Sequence, residues 1–417
     1  MEKKEKLFIE IAHHHENKHN KPVCGDTFLS RKITDDNRYV AVLSDGLGSG
    51  IKANVLSTMT ASMALNFRLR REPILRSALN IMNALPVDSA RNISYATFTI
   101  VDTDFEGTTE IVEFDGPEYL LFRDGQQVEP VKDAIGIDRE GQQFTAYSGD
   151  VEAMRRLGAE PDKFRVMYRS HLRLCKGDRI IFYSDGVVQS GMGAKEHPFG
   201  WGEKAVRAYV QELIRQKPDI SARDLSRKIV NAALQKDGMK SRDDITCAVI
   251  YARDPRQLLI CSGPPYDAKN DKTLAAAVDK YDGKKVVCGG TTSKILSREL
   301  NREITVDIKN IRTREYPPAA TMQGVDLVTE GILTLGMVAE MLEKDNPLEV
   351  HKYSPAWDLI RLIMESDIID LLIGTRINEA HQDPSLPVEL EIRRNVVKRI
   401  AALLEEKWLK KVNIAYL

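Results

Sequence analysis

Two segments of this chain repeat one local pattern, an apolar run that ends in Ser-Asp-Gly. The first is YVAVLSDGLGSG at residues 39–50, and the second is RIIFYSDGVVQSG at residues 179–191. Each run has the length and apolar character of a buried strand, and the glycine lets the backbone turn sharply after the aspartate. The two strands therefore carry Asp45 and Asp185 at their ends. If adjacent central strands carry them, the two carboxylates converge.

The chain is longer than most single domains. At 417 residues it exceeds the size at which one hydrophobic core usually stays single, so two domains are expected. Residues 1–253 contain many strand-like runs that end at Gly, Asp or Asn, which predicts an α+β domain with a large antiparallel core. Over residues 256–417, short apolar strands alternate with helix-length stretches, which predicts an α/β domain with a mainly parallel sheet.

Helical periodicity is clearest in the first of these regions. Ile51, Val55 and Met59 begin a row of apolar residues at four-residue spacing, and Ser221 is a candidate N-cap. The predicted helices cover residues 51–71, 73–84, 201–215 and 221–236.

Charge and hydropathy exclude several classes of protein. The chain has 60 Lys plus Arg and 61 Asp plus Glu, a net charge of -1, which favours neither nucleic acid nor an anionic membrane as a partner. The N-terminus has no apolar signal core, and no stretch approaches the roughly 18 apolar residues of a membrane span. We therefore expect a cytoplasmic protein.

The cysteines and histidines do not have the spacing of a metal site. Five cysteines are scattered along the chain, which argues against a disulfide scaffold and against a zinc module. His13, His14, His15 and His19 are clustered, but neighbouring residues on a strand point to opposite faces, so a closed metal site is not expected there.

Further carboxylates lie at the edges of other predicted strands. Asp26 occurs in VCGDTF, and Asp243 and Asp244 occur in SRDDITCAVIY. An isolated Asp-Gly is usually a turn, but four carboxylate-bearing elements at strand edges, two of them with the same Ser-Asp-Gly tripeptide, favour a shared site. A set made only of oxygen ligands suits magnesium or manganese rather than zinc.

Four motifs together resemble a known family. They are CGDTF (24–28), VLSDGLGSG (42–50), KGDRIIFYSDGVVQSG (176–191) and RDDITCAVI (242–250). Their order and spacing are similar to those of the SpoIIE-type bacterial serine/threonine phosphatases, a branch of the metal-dependent type 2C phosphatases. The resemblance covers about the first 250 residues. It implies a β-sandwich flanked by helices, and an enzyme that hydrolyses phosphoserine or phosphothreonine on a bacterial regulatory protein, such as an anti-sigma antagonist.

The resemblance also implies a centre of two manganese or magnesium ions. Asp45 would bridge the two ions and, with Asp185, form the catalytic centre that activates a water molecule. One of Asp243 and Asp244 would join Asp185 at the first ion, and the doublet leaves that choice open. The implied metal-binding positions are Asp26, Asp45, Gly46, Asp185, Asp243 and Asp244.

Two further segments have counterparts in the family. The resemblance implies that the helices over residues 51–71 and 73–84 form a switch that couples partner binding or dimerisation to metal occupancy, so a homodimer is one partner expected from it. Their Met and small residues, Met59 among them, are more simply interpreted as adaptable core filling. Gln189 stands where relatives often have an acidic residue, and we expect it to shape substrate contact.

The second region resembles no family that its motifs identify. CGGTTS (288–293) runs into a predicted helix, so backbone N–H groups and hydroxyls at Gly289, Gly290, Thr291 and Thr292 could bind a small anionic ligand. A tight turn capped by Thr292 or Ser293 is an equal alternative. We expect a regulatory or ligand-binding domain over residues 256–417.

Two functions remain open from the sequence. The first is an active protein phosphatase, and the second is a non-catalytic phosphatase-fold scaffold whose C-terminal domain binds a small anion or a partner protein. The chain keeps a carboxylate at every expected position, which favours the enzyme.

Overall fold

The computed structural model describes residues 7–33, 36–85, 87–88, 93–94, 96–140, 143–147, 164–195, 197–306, 318–344, 346–376, 388–408 and 410–417. The chain divides into two compact units, Met1–Asp254 and Pro255–Leu417. No helix in the described part of the chain has both the length and the apolar character that crossing a membrane requires.

The first unit is built mainly from antiparallel strands. Its strands are, in chain order, β1 (Phe8–Glu16), β2 (Asp26–Ile33), β3 (Arg38–Gly46), β4 (Val87–Asp88), β5 (Ile93–Ser94), β6 (Ala96–Asp104), β7 (Thr108–Phe114), β8 (Leu120–Arg123), β9 (Gln126–Val128), β10 (Lys132–Glu140), β11 (Gln143–Tyr147), β12 (Phe164–Arg173), β13 (Arg179–Tyr183) and β14 (Ile245–Arg253). Its helices are α1 (Ile51–Leu69), α2 (Ile74–Ala84), α3 (Asp185–Gln189), α4 (Glu203–Gln216) and α5 (Ala222–Lys236).

Two large sheets and two helical layers form this unit, and β4 and β5 pair as a separate two-stranded sheet. A five-stranded sheet has the order β1-β14-β13-β8-β9, and a seven-stranded sheet has the order β11-β10-β12-β7-β6-β3-β2. One core includes Phe182 from the first sheet and Leu43 from the second, so the sheets pack face to face. The outer face of the seven-stranded sheet packs against α1 and α2, and that of the five-stranded sheet packs against α4 and α5.

The predicted fold class of this unit is confirmed, and so are its longer helices. Ser221 caps α5 as predicted, because its hydroxyl accepts a hydrogen bond from the N–H of Asp224 at 3.0 Å. The row of apolar residues on α1 is only partly buried, since Met63 and Phe67 pack against the core of the seven-stranded sheet but the first three members do not. Ile51, Val55 and Met59 are 67%, 50% and 48% exposed, so the interpretation of Met59 as core filling is wrong. Small residues such as Ala61 and Ala64 bury instead, which brings α1 close to the sheet.

The two Ser-Asp-Gly tripeptides do the same structural work at the ends of β3 and β13. Ser44 Oγ donates to Thr97 O at 2.8 Å, and Ser184 Oγ accepts from the N–H of Thr246 at 3.0 Å, so each serine anchors its strand end. A Cβ on Gly46 would overlap the carbonyl of Ala53, and a Cβ on Gly186 would overlap that of Asp244. Neither glycine has a positive φ, so both are required for close backbone approach rather than for the sharp turn expected from the sequence.

Replacing Gly186 by alanine should therefore destabilise the first unit. The added methyl group must push α3 away from the residues that precede β14, and overpacking of this kind costs about 1–3 kcal/mol, more than the helix propensity that alanine adds. The measurement is the free energy of unfolding in urea. Gly116→Ala is the matched control, because Thr97 Oγ1 lies 3.7 Å from its Cβ position and a change within about 0.5 kcal/mol is expected. Equal stability of both variants would contradict the steric role.

The second unit is a doubly wound α/β domain, as its fold class predicted. Its strands are β15 (Gln257–Ser262), β16 (Lys284–Cys288), β17 (Ile304–Val306), β18 (Ala320–Met322), β19 (Val325–Thr329), β20 (Ile368–Ile373) and β21 (Lys411–Tyr416). Its helices are α6 (Asp271–Asp279), α7 (Gly290–Leu300), α8 (Ile332–Glu343), α9 (Pro355–Glu365) and α10 (Val388–Glu406). The sheet order is β17-β18-β19-β16-β15-β20-β21, parallel from β19 to β21. One sheet face packs against α6 and α7, and the other against α8, α9 and α10.

Candidate metal centre

Two carboxylates face each other across the edge of the seven-stranded sheet. The antiparallel register of β2 and β3 places Asp26 directly opposite Asp45, and opposed residues in such a ladder have their side chains on the same face. Asp26 is buried, and neither of its carboxylate oxygens has a hydrogen-bond partner. Burial raises the pKa of Asp26 to about 7, and Asp244 adds to this rise, whereas the nearby hydroxyls of Thr246 and Ser184 oppose it.

The third carboxylate comes from the other sheet. Asp185 follows β13 and is the first residue of α3. Burial raises the pKa of Asp45 well above its ordinary value, and the charges of Asp26, Asp185 and Asp243 raise it further. Burial and Asp243 likewise raise the pKa of Asp185. Asp45 and Asp185 therefore lie close together, but they converge because two sheets face each other and not because β3 and β13 are neighbours.

Gln189 acts on the centre directly. Its amide Nε2 donates to Asp185 Oδ2 at 2.7 Å, an i to i+4 contact along α3. This contact adds to the expected role of Gln189 in substrate contact, which stays a prediction. The amide orients the carboxylate and favours its ionised form.

The Asp243–Asp244 doublet separates into two environments. Asp243 is partly exposed, and its charge acts on Asp45 and Asp185. Asp244 is buried; its Oδ1 accepts from the N–H of Lys18 at 2.9 Å, and its Oδ2 has no hydrogen-bond partner. The Asp244 charge acts on Asp26. The two neighbours therefore face different members of the cluster.

Lys18 is a site residue that the sequence motifs did not indicate. Its ammonium lies 3.5 Å from Asp243 Oδ1, and both side chains are about one-third exposed. Salt bridges this exposed contribute at most about 1 kcal/mol. The contact partly offsets the negative charge of the cluster on its solvent side. The signal that could have found it is a lysine just after the histidine-rich strand β1, which pairs with β14.

Helix α1 is tied to the strand that carries Asp26. Asn54 Nδ2 donates to Cys24 O at 2.8 Å, and the hydroxyls of Thr27 and Ser57 lie 2.7 Å apart. Since Gly46 also abuts Ala53, the first turns of α1 contact the chain next to both Asp26 and Asp45.

The chemistry of these side chains suits a hard divalent cation, although the side chains are not arranged in a complete coordination geometry. The described residues include no group of three or more His, Cys, Asp or Glu side chains already arranged to hold a metal ion. The donors are all oxygen atoms, and two of them, both carboxylate oxygens of Asp26, are buried without a hydrogen-bond partner. Divalent cations satisfy such oxygens and favour ionised carboxylates. The donor set is therefore suited to magnesium or manganese.

The histidine cluster has a different environment. The rings of His13 and His15 stack with centroids 6.0 Å apart, and His13 also packs 4.5 Å from Phe28. Burial lowers the pKa of His13. Both His13 and His15 remain exposed, so these ring contacts lie at the protein surface.

In the second unit, the four predicted ligand-binding residues lie at the start of α7. Gly289 is the N-cap residue with φ of 120°, and no side chain caps this helix, so the predicted cap by Thr292 or Ser293 is wrong. Gly290 and Thr291 are exposed, whereas Thr292 is buried.

Comparisons with known proteins find one family model and a set of similar solved structures. The family model for stage II sporulation protein E (SpoIIE) matches residues 35–253. Similar solved structures include the phosphatase domain of the cell fate determinant SpoIIE from Bacillus subtilis, which is 14% identical, covers 60% of this chain and 93% of its own, and has a TM-score of 0.41. The RsbU and RsbW domains of a Mycobacterium tuberculosis protein are 17% identical over 66% and 68% of the two chains, with a TM-score of 0.43. RsbX in complex with magnesium is 18% identical over 59% and 98%, with a TM-score of 0.37. No curated protein sequence matches.

The environments of Asp243 and Asp244 lead to a prediction about metal affinity. We expect Asp243→Asn to weaken manganese binding by about tenfold or more, because it removes a charge that faces both Asp45 and Asp185. Asp244→Asn keeps an oxygen for the N–H of Lys18 and should stay within about threefold of the original affinity. Calorimetric titration of the metal-free protein measures both. The reverse order of the two variants would assign the ligand role to Asp244.

Proposed function

This chain belongs to the SpoIIE family, whose model spans residues 35–253, and from that membership we propose that it is a metal-dependent protein serine/threonine phosphatase. Its substrate would be a phosphorylated bacterial regulatory protein, of the kind represented by anti-sigma antagonists. The observation that carries the proposal is the gathering of Asp26, Asp45, Asp185 and Asp243 in one electrostatically coupled cluster. Burying so many like charges is costly unless a cation compensates them.

Each residue of the cluster has a proposed part in holding two manganese or magnesium ions. Asp45 occupies the centre, since its neighbours include both Asp26 and Asp185, and it would contact both ions. Asp185 and Asp243 would hold the first ion. Asp26 and the carbonyl of Gly46 would hold the second. When bound, the ions would lower the pKa of a water molecule that attacks the phosphorus and would offset the charge of the phosphate.

The protein's own contribution is the positioning of these groups. The β2–β3 ladder fixes Asp26 and Asp45 against each other. Gln189 orients the Asp185 carboxylate, and Lys18 remains on the solvent side of Asp243, where a phosphorylated side chain would approach. No cysteine nucleophile is invoked, since four of the five cysteines are buried.

Hydrolysis of p-nitrophenyl phosphate should require manganese or magnesium and should stop on chelation. Asp185→Asn should lower kcat/KM by about 100-fold or more, because it removes an ionised ligand and retains the shape of the side chain. Manganese binding, measured by calorimetry, should weaken in parallel.

Asp219→Asn is the matched control for this test. Asp219 is exposed and lies between α4 and α5, so its amide variant should keep the original turnover. Near-original activity of Asp185→Asn at saturating manganese would overturn the assignment. Tight manganese binding without turnover of any phosphate ester would support the non-catalytic scaffold instead.

For the second unit we propose a regulatory role that depends on a small anionic ligand near Gly289, Gly290, Thr291 and Thr292. Space around the Cβ position of Gly290 is open, and backbone N–H groups at a helix N-terminus favour anions. A ligand that controls the phosphatase must bind its two states differently, so metal and ligand affinities must be coupled.

Sulfate is a simple probe of that coupling. In the full chain, sulfate should change manganese affinity by about fivefold or more, and the same titration on residues 1–254 should show no change. Circular dichroism of the fragment checks that it folds alone. Identical manganese affinities with and without sulfate, in both the fragment and the full chain, would contradict an anion-controlled switch.

A further inference from the structure

A cleft of about 620 Å³ lies between α4, α5 and the segment that joins α3 to α4. Its lining includes Lys195, His197, Trp201, Tyr209, Gln235 and Lys236. Of the described residues that line the cleft, none is acidic. A cleft whose described lining carries two ammonium groups and an imidazole, and no carboxylate, favours an anionic ligand.

The contacts of Lys236 hold its ammonium group in the cleft. Its Nζ lies 3.1 Å from His197 Nε2 and 4.9 Å from the ring centroid of Trp201. Because a lysine ammonium can only donate, His197 Nε2 accepts here, which leaves the Nδ1 proton of this neutral ring as a further donor. Trp201 is almost fully buried and meets Tyr209 edge to face at 5.3 Å. The basic groups therefore stand over a rigid aromatic wall.

The neighbouring acidic side chain, Asp237, accepts hydrogen bonds outside the cleft. Its Oδ1 accepts from the N–H of Gly191 at 2.6 Å and its Oδ2 accepts from the N–H of Arg242 at 3.0 Å. Asp237 therefore holds the loop and the residues before β14 together. Both carboxylate oxygens of Asp237 accept these hydrogen bonds, and Asp237 is not among the described residues that line the cleft.

Hydrogen bonds connect the wall of the cleft to the segments that carry Asp185 and Asp243. The N–H of Gly202 donates to Val188 O at 2.9 Å, which fixes the cleft wall to α3. Arg242, the residue before Asp243, donates to Met192 O in the same loop. The five residues of α3 rise about 7.5 Å from Asp185, and one to two extended loop residues add about 3–7 Å. An extended peptide, at about 3.3 Å per residue, covers this span in roughly three to five residues.

We propose that this cleft binds an acidic side chain of the phosphorylated substrate protein, three to five residues from the phosphorylated residue. The inference rests on the proposed phosphatase function and adds a specificity subsite to it. The carboxylate would contact Lys236 and Lys195, and the aliphatic part of the side chain would pack against Trp201. Substrate selection would then combine the phosphate at the metal centre with one negative charge at a fixed distance.

Position-scanned phosphoserine peptides test the proposal on the full chain. Each peptide carries one Glu, at one position up to six residues before or after the phosphoserine, and has a matched peptide with Gln. We expect kcat/KM to favour Glu over Gln by about three- to tenfold at one position three to five residues away. The preference should fall to about one in Lys236→Gln and in Lys195→Gln, and Lys236→Arg should restore part of it.

Lys228→Gln is the matched control. Lys228 is exposed on the same helix, α5, away from the cleft lining, and its variant should keep the original Glu preference. Because the readout is a ratio within each variant, a general loss of activity cancels. A flat scan, or a preference that survives in both Lys236→Gln and Lys195→Gln, would overturn the proposal.

A binding measurement separates failure of this subsite from failure of the phosphatase assignment. A fluorescein-labelled, unphosphorylated peptide with a single Glu should bind the full chain by fluorescence anisotropy, and Lys236→Gln should weaken it about three- to tenfold, whether or not the protein turns over p-nitrophenyl phosphate. If glutarate binds in a Lys236-dependent manner but the peptide scan is flat, the cleft takes a free carboxylate and the substrate proposal is wrong.

Discussion

The burial of several carboxylates in one place is the constraint on which the first unit depends. A pKa of about 7 for Asp26, against an ordinary 3.8, means that burial disfavours its ionised form by several kcal/mol. The folded state then binds more protons than the unfolded state between roughly pH 4 and pH 7. Without a cation, the contribution of Asp26 to stability therefore falls as the pH rises through this window. A divalent ion removes that penalty, so ion binding and folding favour each other.

Such a cluster forms only because the two sheets face each other and their carboxylate-bearing strand ends lie close together. Asp26 and Asp45 come from one sheet, and Asp185 and Asp243 from strand ends of the other. Local conformation alone would not keep these groups together against their repulsion. Packing does so, because the strand ends are anchored by buried serines and the glycines let neighbouring backbone approach. In each Ser-Asp-Gly tripeptide, the serine anchors the strand end, the aspartate supplies a carboxylate, and the glycine allows close contact with neighbouring backbone.

The sequence predicted those parts of the structure that depend on local pattern. The bounds of α2, α4 and α5 were predicted within two residues, and the mainly parallel sheet of the second unit followed from its alternating strands and helices. Strand pairing is a long-range property. The sequence therefore predicted that the carboxylates lie at strand ends, but it did not predict that β3 and β13 belong to separate sheets. Lys18 was missed for the same reason, since it contacts Asp243 from 225 residues away. Spacing on α1 predicted a helix but not which face it buries, because small residues can pack more closely than large ones.

The close packing of α1 against the sheet connects this helix to the candidate metal centre. Its contacts reach Cys24, Thr27 and Gly46, which stand beside the opposed carboxylates of Asp26 and Asp45. These contacts are three hydrogen bonds and one close backbone approach, and further along the helix Ala61 and Ala64 pack into the core of the seven-stranded sheet. A displacement of the first turns of α1 would therefore act directly on the strands that carry Asp26 and Asp45. If that displacement changed the affinity of the centre for a metal ion, metal binding would shift the position of the helix by the same coupling free energy.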